Sequence, residues 1–132
     1  MSTIIPSVDL GTAGTTRGAR VAPTGVQRVL DLLDADLSHI ALDSGATTDA
    51  GLAAEHYRAA LTPPFRDGAT TVLEVYLDET QGNGLTETVA LLAGATGTPG
   101  TGTLFAYQGA AIEKTDRDSL TISFEVTVEG VA

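Results

Sequence analysis

The chain has 132 residues, a formal charge of −10 from ten Asp and seven Glu against six Arg and one lysine, and no cysteine. That charge repels nucleic acid and anionic membrane surfaces, and a chain without thiols has neither disulfides nor thiolate metal sites. The length fits one domain with a real core, which three Phe, three Tyr and no Trp leave to Val, Leu, Ile and Ala.

Twenty threonines and fifteen glycines point to β-structure with many turns. Residues 1–22 carry Pro6, three glycines and no sustained periodicity, and they read as an extended arm. Its apolar residues Ile4, Ile5, Val8 and Leu10 are expected to anchor on a neighbouring subunit, since a solvated tail would leave them in water. The N-terminus has no basic region and no long apolar run, so a soluble, unexported protein is expected.

From Thr24 to Ala35, Val26, Val29, Leu30 and Leu33 recur at helical spacing, with Thr24 as N-cap and Gln27 completing a capping box. Asp34 and Asp36 stand at the unfavourable, negative end of that helix. Leu37 to Leu42 reads as a short strand ended by Asp43-Ser44-Gly45, and residues 49–61 as a short helix or turn running into a strand. Pro63 and Pro64 then stop any regular element.

Residues 69–78 place Thr71, Leu73, Val75 and Leu77 on one face. Gln81-Gly82-Asn83-Gly84 is a turn signal, so this strand is expected to hairpin into Leu85 to Ala93. Residues 94–102 (GATGTPGTG) read as a flexible loop, Thr103 to Gln108 as a fourth strand, and 111–118 as the lead into the last one. That last stretch, Ser119 to Glu129, alternates without a fault: Leu120, Ile122, Phe124, Val126 and Val128 against Thr121, Ser123, Glu125, Thr127 and Glu129. Period two buries five apolar side chains on one face and predicts the central strand of an antiparallel sheet. The fold expected is mainly β: a small antiparallel β-sandwich over 23–132 with one N-terminal helix, preceded by the extended arm.

Several motifs occur here in an order that resembles the tail-collar fibre family of tailed bacteriophages. Ile40-Ala41-Leu42-Asp43-Ser44-Gly45 with Thr47 and Thr48, then Leu52, Glu55 and Arg58, is similar to the family's strand, Gly-containing turn and spaced Leu, Glu and Arg. Glu87-Thr88-Val89-Ala90-Leu91-Leu92 resembles its Glu-Ile-Gly-Leu-Phe strand, and Gly102-Thr103-Leu104-Phe105-Ala106 its Gly-x-Leu-x-Ala strand. Lys114-Thr115 with Leu120-Thr121-Ile122 resembles its entry to the final strand. Asp43 stands where the family has Gly, and Val89-Ala90 where it has Ile-Gly. The likeness spans residues 36–129. It implies a structural, anchoring component of the virion, assembled in the host cytoplasm, homo-oligomeric and in contact with other virion proteins.

No enzyme signature accompanies these motifs. His39, Asp43, Asp49, Glu55 and His56 are the one group with acid–base or metal-binding side chains close in sequence, and their spacing matches no common zinc or calcium pattern. No nucleophile elbow, phosphate loop or dinucleotide fingerprint is present. No cofactor, metal or catalytic residue is therefore expected. The competing reading is a free-standing carbohydrate-binding sandwich, a class that commonly uses exposed aromatic platforms, of which six aromatic residues without Trp supply few. Lys114, the single lysine, is expected either to pair with a carboxylate and pin the turn before the last strand, or to sit in solvent.

Overall fold

The computed structural model describes residues 2–4, 7–9 and 21–129. Two short strands, β1 (Ser2–Ile4) and β2 (Ser7–Asp9), precede helix α1 (Pro23–Asp36). The strands β3 (Leu37–Asp43), β4 (Glu55–Ala60), β5 (Phe65–Asp67), β6 (Thr70–Leu77), β7 (Gly84–Ala93), β8 (Thr103–Lys114) and β9 (Leu120–Glu129) follow. They form two sheets, β1-β9-β6-β5 with β2 also on β9, and β4-β3-β7-β8. The architecture is thus a small β-sandwich with one helix.

The faultless alternation of β9 makes it central, as expected. It pairs antiparallel with β6, Phe124 opposite Leu73, and its other edge carries β1 and β2 in parallel. Ile122, Phe124, Val126 and Val128 are buried, while Thr121, Glu125 and Thr127 on the opposite face are partly open. Leu73, Val75 and Leu77 of β6 meet them from the same sheet. Ile40, Leu42, Val89 and Leu91 close the core from the facing sheet. Each such side chain contributes roughly 1.5–3 kcal/mol on burial before entropy is counted.

Two expectations about the strands need correction. Strands β6 and β7 do not form a hairpin: they lie in different sheets, and the turn between them is the corner that joins the two layers. Gly82 sits at that corner with φ of 65°, and a Cβ there would lie 2.9 Å from Leu42 Cδ1 and 3.1 Å from Leu77 Cδ1. The glycine therefore marks a close approach over the core. Residues 49–61 take the second of the two forms expected, a turn running into a strand, with β4 as an edge strand on β3. The region 103–114 is one twelve-residue strand, with register shifts against β7 and a positive φ at Ala111.

The helix cap also differs. Ala22 is the N-cap, Pro23 opens the helix, and no side chain caps it. Pro at the first helical position loses no bond, because its missing N–H is one of the orphan donors. Gln27, freed from capping, donates to the Gly68 carbonyl and accepts from Arg66. Val26 and Leu30 pack on Val128, so the helix plugs one end of the sandwich. The unfavourable charge at its C-terminus is compensated: Asp34 accepts from Arg66 and from Thr71 Oγ1.

The arm joins the sheet of its own chain through Ser2–Ile4 and Ser7–Asp9, with Ile4 in register with Phe124 and Val8 with Val128. Ile5 and Leu10, assigned to the same anchoring role, lie outside the described residues.

Candidate interaction site on the outer face of the second sheet

From Thr88 to Leu92 every residue of β7 is buried. One face looks into the sandwich. The other, with Ala41, Ala90 and Leu92, is covered by Leu52, Ala95 and Leu104. Two loops, 44–54 and 94–102, therefore lie over the outer face of this sheet and cover what alternation would leave wet.

The first loop is organised by Asp43, whose residue is fully buried. One carboxylate oxygen accepts from the backbone N–H groups of Gly45 at 2.9 Å and Ala54 at 2.7 Å. The other accepts from Thr47 Oγ1 at 2.7 Å and the Ala53 N–H at 2.8 Å. Burial pushes this carboxyl's pKa up, but the four donors outweigh it and hold it below its ordinary value. Thr88 continues the arrangement by donating to the Gly45 carbonyl and accepting from the Thr47 N–H. Asp43 is thus the hub of the loop.

The second loop is held by Arg58. Its guanidinium makes a two-pronged pair with Glu55, the side chains being 5% and 11% exposed. Its Nη1 donates to the carbonyls of Thr96 and Thr101 and to Thr101 Oγ1. Thr101 Oγ1 also donates to the Thr98 carbonyl and accepts from the Thr96 N–H. The glycine-rich segment read as a flexible loop is therefore pinned by a buried cation. Gly102, at φ 92°, lets its backbone pass so close that a Cβ would lie 2.5 Å from Ala95 Cβ. The hydrogen bonds from Arg58 foremost lower the Glu55 pKa despite burial.

Between the loops runs a groove of about 740 Å³, lined among others by Asp49, Leu52, Arg58, Thr101 and Leu104. Tyr107 of β8 donates its hydroxyl to Oδ1 of the groove residue Asp49 at 2.6 Å, and that bond raises the Tyr107 pKa.

The resemblance residues divide sharply. Gly45, Leu52, Glu55, Arg58 and Leu104 meet on this one face. Glu87 is exposed where β7 and β8 slip register, away from them. Lys114 is buried at the inter-sheet corner, where its Nζ donates to the Asp78 carbonyl at 2.6 Å and Asn83 Oδ1 at 2.7 Å. The lysine does pin a turn, but it is the β6–β7 corner, and its hydrogen-bond partners are a carbonyl and an amide instead of a carboxylate.

The histidines stay apart. His39 meets Ser38 Oγ, and burial first, then the Arg58 charge, lowers its pKa against the pull of Glu55. His56 meets Thr86 Oγ1 at 2.9 Å. Among the described residues no three His, Asp or Glu side chains converge as a metal-binding set. Arg66, bound to Gln27, Asp31 and Asp34 across the helix–sheet seam, went unnoticed in the sequence. Only the acid-rich helix end hinted that a cation was needed there.

No described protein family, no curated protein sequence and no solved structure matches the chain.

Proposed function

We propose that this chain is a non-enzymatic assembly module of a tailed-virus particle, placed on the tail, collar, baseplate or a capsid turret and acting through contacts with copies of itself and other virion proteins. One observation carries the reading. Five residues of the tail-collar resemblance, separated by up to 59 positions in sequence between Gly45 and Leu104, converge on one face and hold its two covering loops. A face whose covering loops are held by its own residues suits a scaffold that presents surface. The charged groups there, Asp43, Glu55 and Arg58, are occupied in holding backbone and one another. The direct test is mass spectrometry and immuno-electron microscopy of purified particles from a virus encoding the chain. A fixed number of copies at one structural position is expected, and absence from particles overturns the reading.

The carbohydrate-binding alternative is favoured by one observation, the exposed Tyr107 bonded to Asp49, which lines the groove. Titration calorimetry against a panel of glycans decides it: saccharide binding lost in Tyr107→Ala supports that reading, and no heat across the panel removes it.

A further inference from the structure

We infer that Asn83 is a site of self-modification: its side-chain amide, held on the Lys114 ammonium and followed by Gly84, loses ammonia through a cyclic imide and becomes an aspartate paired with Lys114. This step is independent of the assembly role proposed above.

The β6–β7 corner joins two residue types that each occur once in the chain. Asn83 is the only asparagine and Lys114 the only lysine. They come from positions 31 apart, and Lys114 Nζ donates to Asn83 Oδ1 at 2.7 Å. At its other end the same amide donates, Nδ2 to the Glu79 carbonyl at 2.9 Å. Asn83 is exposed, whereas Lys114 is only 4% exposed. The amide therefore stands between solvent water and a buried cation.

The nucleophile is the next residue of the chain. The backbone nitrogen of Gly84 closes a five-membered ring when it bonds to Asn83 Cγ, and a neighbour on the same chain needs no encounter with a second reactant. Gly84 has a φ of 120°, so the backbone itself calls for glycine there, and glycine puts no side chain in the way of the ring. Ring closure builds negative charge on Oδ1, where Nζ already donates, which is how an oxyanion donor lowers a barrier. Nζ is not the attacking group, because an ammonium has three donors and no lone pair.

Atoms and electrons balance with water as the co-reactant. The Gly84 N–H proton passes to water, the nitrogen's electron pair forms the bond to Cγ, and the Cγ–Nδ2 bond breaks as ammonia leaves with a proton. Water then adds to Cγ, the Cγ–N bond opens, and the backbone amide is restored beside a carboxylate. Nothing is oxidised or reduced.

The surroundings favour that product. The ion pairs among the described residues use Arg58 and Arg66, while the acceptors of Lys114 are a carbonyl and an amide. A carboxylate at position 83 gives the buried cation a counter-ion and turns the existing contact into a charge-assisted one. Opening the ring the other way gives isoaspartate, which adds a carbon to the backbone. The corner has little room for it: a Cβ on the adjoining Gly82 would already lie 2.9 Å from Leu42 Cδ1.

The test keeps the full chain near neutral pH in water enriched in oxygen-18 and follows the tryptic peptide 67–114 by mass spectrometry, beside a sample unfolded in guanidinium chloride. The expected product is aspartate at position 83 with one heavy oxygen, a gain of about 3 Da over the original peptide. It should form faster in the native chain than in the unfolded one. A native rate equal to or below the unfolded rate shows that the fold protects Asn83 and overturns the inference, as does isoaspartate as the main native product. Lys114→Met, checked for folding by circular dichroism, should slow native conversion about tenfold or more. An unchanged rate in that folded variant removes Lys114 as the donor. Asn83→Asp should raise the denaturation midpoint of the otherwise wild-type chain, and a lowered or unchanged midpoint overturns the pairing with Lys114.

Discussion

Strands β9 and β7 have the same length, ten residues, and both lie inside their sheets, yet they bury themselves by different means. β9 keeps one face in the core and leaves Thr121, Glu125 and Thr127 partly open, so its stability comes mainly from apolar packing. β7 buries both faces from Thr88 to Leu92, the second beneath loops that depend on Asp43 and Arg58. The first sheet therefore has a core, and the second has a core and a lid. Mutations should separate the two, because packing and polar stapling answer differently to truncation and to pH.

The largest loss should follow truncation in the shared core. Phe124 is the largest fully buried side chain, with Leu73 opposite. Phe124→Ala should cost roughly 3–5 kcal/mol through lost burial and the cavity left behind. Urea denaturation reads this directly, and a cost below about 1 kcal/mol would mean that β9 does not face the core as described.

Next comes the lid. Arg58→Ala strands Glu55 in a buried site and frees the carbonyls of Thr96 and Thr101. Breaking a buried pair from one side costs about 3–5 kcal/mol. Hydrogen exchange should rise first in residues 96–101. Uniform loss of protection across the sheet would show that the lid and the core unfold as one unit.

Asp43→Asn sharpens the comparison through pH. The amide keeps the shape but turns an N–H₂ toward groups that already donate, at a cost of about 2–3 kcal/mol near neutral pH. The folded-state pKa of Asp43 is lowered, so its contribution is complete above the unfolded carboxylate range, about pH 4, and is lost as pH falls through the folded value. Glu55, lowered chiefly by its bond from Arg58, acts with the same sign. Wild type should therefore lose stability on acidification, and its gap from Asp43→Asn should narrow as pH falls below about 4. A gap independent of pH would remove the carboxylate from the account.

The same contrast explains what the sequence made legible. Period two in β9 and in Thr71, Leu73, Val75 and Leu77 assigns the core face because each strand meets its sandwich partner on one side only. The hairpin expectation for β6 and β7 failed because a Gly-Asn-Gly turn specifies a reversal of the chain, while the choice between the same sheet and the facing one depends on long-range pairing. For the lid, Asp43 and Arg58 were visible as residue types, but their partners lie up to 43 positions away, in a loop whose composition suggests mobility. A buried arginine orders that loop, and no local pattern encodes it.

The smallest effect should come from the open face of β9. Thr127 lies opposite Thr70 on β6, and their hydroxyls meet at 2.7 Å. Removing one hydroxyl in Thr127→Ala leaves the other beside water, so the hydrogen bond is exchanged for a solvent contact and no unsatisfied group is buried. The lost β-branch weakens strand preference by a few tenths of a kcal/mol. Together these should stay within about 1 kcal/mol, several-fold less than Phe124→Ala three residues away. Equal denaturation midpoints for Thr127→Ala and Phe124→Ala would erase the distinction between the faces. A cost near 3 kcal/mol for Thr127→Ala would mean that another part of the chain or a second copy covers this face in solution.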